Sequence, residues 1–249
     1  MADLNNLTTL AKRLRPLLGS YIQNLGGQLV GEGPGIDIVK VGDVNTVGLG
    51  GDTVLLYHDD GSPVEEFATI TLALADSVAG DVIELPAGIF VEDITIPEDV
   101  SVISYLNNTY IYGIVTMGGN NSCMLGTNVI VIGNSAGALA AVIAPTTGIA
   151  SLFDVWILVV NNGAGDAYGI QGDDGEIKAR NGGINVTSID GDAIGIYSPV
   201  DKVGDCYSNN NDVTAIASGA GNGWDFKTDG ADIHVTGGTG VASTAPVGV

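Results

Sequence analysis

Cationic residues are scarce in this chain. Eight Lys and Arg stand against 29 Asp and Glu, a formal charge of −21 over 249 residues. A phosphate backbone is bound through neutralising cations, so nucleic acid is excluded as a partner. Anionic membranes are disfavoured for the same reason. The charge suits an elongated, exposed protein that must stay in solution. Cysteine is nearly missing. Cys123 and Cys206 match no metal or redox spacing. They read as buried small hydrophobes at similar phases of a repeat, and a disulfide is not expected. No apolar run approaches the roughly 18 residues of a membrane span. Met1-Ala2-Asp3-Leu4-Asn5-Asn6 has no cationic region leading into an apolar core, so no signal peptide is expected.

Glycine, by contrast, is abundant: 38 residues, about twice ordinary usage. It separates a phrase that repeats. Ile130-Val131-Ile132-Gly133 followed by Ala140-Ala141-Val142 returns as Trp156-Ile157-Leu158-Val159-Val160 followed by Ala167-Tyr168-Gly169-Ile170. It returns again as Gly183-Ile184-Asn185-Val186 followed by Ala193-Ile194-Gly195-Ile196, and more loosely up to Phe226. The anchors Val142, Ile170, Ile196 and Phe226 are spaced by 28, 26 and 30 residues. A fixed period of this size marks a stacked repeat. Short β-branched runs between Gly, Asn and Asp are strand and turn chemistry. Three strands and three turns per repeat fit one coil of a parallel β-helix, each coil burying its side chains against its neighbours. The four anchors should form one inward stack. Ile132, Val159, Val186 and Ile216 should contribute to another.

Ahead of the repeat, residues 1–22 read as a helix for attachment or oligomerisation. Leu4, Leu7, Ala11, Leu14 and Leu18 step by three and four, and Leu10 and Leu17 widen the seam. Asp3 caps the start, Gly19 ends it, and Pro16 kinks the last turn. Lys12, Arg13 and Arg15 make this segment cationic. Residues 23–62 read as a Gly-rich β linker with extended pieces at 36–41 and 44–47. Gly31, Gly33 and Gly35 are not a nucleotide loop, because no Lys-Ser pair or helix follows. A strand over 53–58 ends at His58, which reads as structural, and 59–63 turn. Phe67, Ile70, Leu74 and Val78 predict a helix over about 66–79, closed by Gly80. A β-helical domain over 63–249 follows.

The short helix followed by Gly80-Asp81-Val82-Ile83-Glu84-Leu85-Pro86-Ala87-Gly88-Ile89-Phe90, then Ile94-Thr95-Ile96-Pro97, carries a resemblance. It resembles the entry to right-handed parallel β-helix proteins of the pectate-lyase-like superfold, most closely bacteriophage tailspike and tail-fibre proteins. The likeness spans about residues 50–240. It implies an all-β solenoid with a capping helix, a homotrimer, docking through the N-terminus onto tail or baseplate proteins, and exposure to host surface polysaccharide. It further implies a place in a virion tail assembled in the host cytoplasm. The superfold hosts many activities. A structural or receptor-binding tail protein is the expectation. A polysaccharide depolymerase or lyase is the alternative, and a bacterial surface adhesin a second one.

Glycoside cleavage needs two carboxylates about 5–10 Å apart. Asp166 and Asp192 hold equivalent places in successive phrases, and coils stack about 4.8 Å apart, so these two are the candidate pair. Asp173, Asp174, Asp190 and Asp205 are further candidates. Asp and Asn are ordinary turn residues, like Asn161, Asn162, Asn181, Asn209, Asn210 and Asn211, and the turn reading is preferred. Calcium takes clustered oxygens, but no calcium-loop consensus is present. No metal or cofactor is expected. Lys178, Arg180, Lys202 and Lys227 stand in no lyase motif. Tyr168, Tyr197, Tyr207 and Trp224 are candidates for stacking on sugars, against packing or facing a sister chain. His234 reads as structural. Residues 237–246 contain no capping helix, so the C-terminal end of the solenoid should be covered by the tail, sister chains or a partner.

Overall fold

The computed structural model describes residues 53–238, apart from 106, 107 and 220, and the backbone of four strands between residues 21 and 48. The helix expected over Leu4, Leu7, Ala11, Lys12, Arg13, Leu14, Arg15 and Leu18 lies outside the described residues. The chain divides into two compact units, Met1–Thr53 and Val54–Val249. In the first, Tyr21–Leu25 pairs antiparallel with Gln28–Glu32, and Asp37–Val41 with Val44–Gly48. The second hairpin is made by the two extended pieces read from the sequence.

The second unit is a parallel β-solenoid with three sheets. Sheet 1 stacks Val82–Glu84, Ser101–Ile103, Cys123–Leu125, Ile149–Phe153, Glu176–Arg180, Cys206–Asn209 and Ile233–Thr236. Sheet 2 stacks Gly88–Phe90, Thr109–Tyr112, Asn128–Gly133, Trp156–Asn161, Gly183–Ser188 and Asp212–Ala217. Sheet 3 stacks Ile94–Ile96, Val115–Met117, Leu139–Ile143, Ala167–Gln171, Ala193–Ser198 and Gly223–Thr228. Each coil runs through the three sheets in that order.

From the third coil on, each strand of sheet 1 is followed directly by one left-handed residue: Gly126, Asp154, Asn181, Asn210 and Gly237. Only Gly, Asn and Asp visit that conformation readily. Buried Asn211 ties one such corner, accepting from Gly182 N and donating to Ala179 O and Ser208 Oγ. Buried Asn161 does the same between sheets 2 and 3, accepting from the N–H groups of Ser135 and Gly163 and donating to Gly165 O.

The anchor stack is present. Val142 pairs with Ile170, Ile170 with Ile196 and Ile196 with Phe226, and the ladder extends back through Val115 to Ile94. The first five are buried and Phe226 packs against them. Each buried aliphatic contributes roughly 1.5–3 kcal/mol. The second expected stack is corrected by one residue at each end. Val159 and Val186 are inward, but their partners are Val131 and Ala215, not Ile132 and Ile216. Ile132 and Ile216 point outward and are more than half exposed. A slip of one position reverses the face in a strand. The cysteines are separated the same way. Cys206 pairs with inward Ile177, and burial pushes its thiol up to about 12. Cys123 pairs with Ser151 on the opposite face, so the two do not share a phase. Both are free thiols.

The first end is closed. Val54–Tyr57 pairs antiparallel with Val82–Glu84 and carries Glu65–Phe67 on its other side. The expected 66–79 helix is shorter: α1 spans Ile70–Asp76. Phe67 lies in a strand and Val78 is exposed, while Ile70, Ala73 and Leu74 cover the core. Thr69 Oγ1 caps the helix by accepting from Leu72 N. Glu92, from the first coil, receives the N–H groups of Ile70 and Thr71, a favourable place for a carboxylate at a helix N-terminus. Asp81 locks this end. Its buried carboxylate accepts from Val78 N, Asp59 N and His58 Nδ1 at 2.9, 3.1 and 3.0 Å. Burial alone raises its pKa, but those donors outweigh burial and hold it below the usual carboxylate value. His58 thus has the structural place expected of it.

Candidate functional site

Of the residues singled out in the sequence, Asp166, Asp192, Tyr168, Tyr197, Trp224 and Lys227 gather on the outer side of sheet 3 and at its entry turns. Those turns repeat Gly-Asp or Gly-Asn: Gly165-Asp166, Gly191-Asp192 and Gly221-Asn222. The glycines are required. A Cβ on Gly191 would overlap the carbonyl of Gly165, and one on Gly221 that of Gly191. Stacked backbones leave no room for it.

The acid after each glycine knits one coil to the next. Asp166 Oδ1 accepts from Asp192 N at 2.8 Å, and Asp192 Oδ1 accepts from Asn222 N at 2.8 Å. The remaining oxygens are also engaged. Asp166 Oδ2 accepts from Tyr168 Oη at 2.9 Å. Asp192 Oδ2 lies 3.6 Å from Lys227 Nζ, which is the same distance from Asp229. The structure brings the two sequence candidates onto adjacent coils and commits both to the turn ladder, which is chemistry suited to holding backbone.

The aromatic candidates form a second ladder. Tyr168 stacks on Tyr197 with centroids 4.8 Å apart. Tyr197 pairs in register with Lys227 of the following coil, whose ammonium lies 5.4 Å from the ring centre. Tyr197 therefore contacts both a ring and a cation. With Ala140 and Ile194, Tyr168 makes a buried apolar cluster on this outer side, flanked by Ile143, Tyr197 and Trp224. Burial, then the neighbouring Asp166, pushes the Tyr168 hydroxyl pKa well up, so it stays a hydrogen-bond donor. The indole Nε1 of Trp224 is buried without a partner among the described residues. On sheet 1, Lys178, Tyr207 and His234 repeat the arrangement. They are in register, Tyr207 stacks on His234 at 4.6 Å, and Lys178 Nζ lies 5.3 Å from the Tyr207 centroid. Asp205 accepts from Tyr207 Oη and faces His234 Nε2 at 3.3 Å.

Other candidates are also paired. Asp173 and Asp174 hold Lys202 at 2.5 and 3.3 Å, and Asp173 first, then Asp174, raises the pKa of Lys202. Arg180 lies over the Phe153 ring. Asp190 has no place in these ladders. Among the described residues, no three His, Cys, Asp or Glu side chains converge as metal ligands. No described helix is long and apolar enough to cross a membrane. An open hollow of about 300 Å³ beside α1, lined by Thr71, Leu74, Ala75, Asp93 and Thr95, carries one carboxylate and no aromatic. Sequence reasoning places Asn161 and Asn211 in turns without setting them apart from their neighbours, and misses Asp81 as the residue that locks the cap. Burial distinguishes them from other turn residues, and burial has no local sequence signal. Comparison with family models, curated proteins and solved structures gives no match to this chain.

Proposed function

We propose that the chain is a structural, receptor-binding shaft of a phage tail or tail-like particle, similar in kind to tail fibres and tailspikes. In this reading it is a homotrimer. It docks onto tail or baseplate proteins through Leu4, Leu7, Ala11, Lys12, Arg13, Leu14, Arg15 and Leu18, and its solenoid meets host surface polysaccharide. One observation carries the preference for a structural role: the Asp166–Asp192–Asn222 ladder uses its carboxylates to hold successive coils. A depolymerase would set two carboxylates at a sugar bond instead. The test incubates the purified full chain with purified bacterial surface polysaccharides and measures both co-sedimentation and new reducing ends. Binding without cleavage is expected. New reducing ends, abolished by Asp166→Asn, would establish the depolymerase reading in its place. Failure to bind any polysaccharide would remove the receptor-binding role.

A further inference from the structure

Sheet 2 has an outer face unlike the rest of this acidic protein. Its first five strands, from Gly88–Phe90 to Gly183–Ser188, contain no Asp, Glu, Lys, Arg or His. Alternation sends Ile111, Val129, Ile157 and Val159 into the bore. The other set points out: Ile89, Tyr110, Tyr112, Ile132, Trp156 and Leu158. Ile89 is 66% exposed, Ile132 59% and Trp156 50%. Trp156 lies across the next coil. A Cβ on Gly183, its register partner, would overlap the indole ring, so the glycine makes space for it. Beyond Trp156 polar residues enter the outward positions, with Asn185, Asp212 and Thr214 exposed beside Ile216.

We infer that this face is where the solenoid packs against a second copy of itself. The inference rests on the homo-oligomeric part of the function proposed above and needs neither its tail nor its glycan part. Several arguments select a like chain as occupant. From these exposures, with Tyr110 and Tyr112 also more than a third exposed, the apolar side chains of this face leave on the order of several hundred Å² in water. That is the size of patch that marks an interaction site and of the order of the ~800 Å² that each partner gives to a specific interface. Each copy carries −21, so two copies repel wherever acidic surfaces meet. They approach without that repulsion where neither surface is charged, and this face meets the condition over several coils. A cationic partner would gain nothing here and would choose the acidic sides. Columns of side chains in register along the shaft also suit packing of one sheet on another at about 10 Å.

The test is the mass in solution, by light scattering at micromolar concentration, of the full chain and three variants. Ile132→Glu and Trp156→Glu place charge on the face, and Gln171→Glu places it on the outer side of sheet 3. The wild type and Gln171→Glu should be multimers. Both face variants should fall to the 25.2 kDa monomer while still melting cooperatively. A monomeric wild type would overturn this inference together with the homotrimer. A multimeric wild type whose two face variants remain multimeric would overturn the face alone. If a face variant does not melt cooperatively, Trp156 decides, in a Trp224→Phe background. Acrylamide quenching that strengthens severalfold on dilution supports the interface, and quenching independent of concentration overturns it.

Discussion

The two ends of the solenoid solve one problem with opposite chemistry. Any terminal coil leaves unpaired strand groups and an uncovered bore. At the first end, Val54–Tyr57 fills the edge of sheet 1, and Ile70, Ala73 and Leu74 of α1 lie over the core. At the other end, no helix stands among the described residues. There, Ala215, Ala217, Phe226 and Ile233 are only partly buried. In the last strand of sheet 3 an acid turns inward: Asp225 is buried and accepts from Ala215 N in sheet 2. In the two preceding coils that phase carries Gly169 and Gly195, both against the opposite wall of the bore. An inward charge discourages a further coil from adding. One end is sealed by apolar cover, and the other is made unattractive to extension.

The comparison can be broken at its middle first. Ile170→Asp puts an unpaired charge into the stack that both ends protect, at a cost of several kcal/mol, and should abolish folding; retention of a cooperative melt by circular dichroism would count against the assigned bore. Next comes the sealed end. Asp81→Ala leaves Val78 N, Asp59 N and His58 without their acceptor. Unsatisfied buried donors cost about 1–3 kcal/mol each, so urea unfolding should show a loss of about 3 kcal/mol. Because the fold holds Asp81 below its ordinary pKa, its contribution is present above about pH 4, the usual Asp value, and is lost as pH falls through the lowered value. The gap between wild type and Asp81→Asn should therefore close in acid; a gap that widens there would reverse the assignment. Phe226→Ala, at the less covered end, should cost about 2 kcal/mol, less than the 3–5 typical of a fully buried Phe. A larger loss would mean that something covers this end in solution. Smallest is Ile216→Ser, within about 0.5 kcal/mol because the side chain faces water; a loss near that of Val186→Ala would restore Ile216 to the core.

Much of this fold is legible in the sequence where coils are regular. Val142, Ile170, Ile196 and Phe226 are legible by spacing because each stands five residues after a turn glycine, which Asp or Asn follows in the last three coils and Ala138 in the first. Sheet 2 was less legible. Matching Ile132 to Val159 rather than Val160 errs by one residue, which a repeat of 26 to 30 residues does not resolve. The earliest coils escape the repeat spacing, because Ile94 and Val115 stand only 21 residues apart; there the entry phrase from Gly80 to Pro97 carries the reading instead. The 66–79 periodicity ran on past α1 because Phe67 happens to extend its spacing from an adjoining strand. At the candidate site, the equivalence of Asp166 and Asp192 was visible from phase. Which oxygens their neighbours occupy was not, since that depends on the backbone of the next coil.

The corner column has a consequence for size. Because one left-handed residue after each of the last five strands of sheet 1 restarts the same path, growth in this part of the architecture comes in indivisible steps. A whole coil added or removed changes the shaft by about 4.8 Å and leaves both terminal coils chemically unchanged, since each coil answers only to its neighbours. A part of a coil would rotate every later strand onto the wrong wall. The protein is in this sense a ruler graduated in coils, and its reach can be lengthened by duplication without redesigning either end.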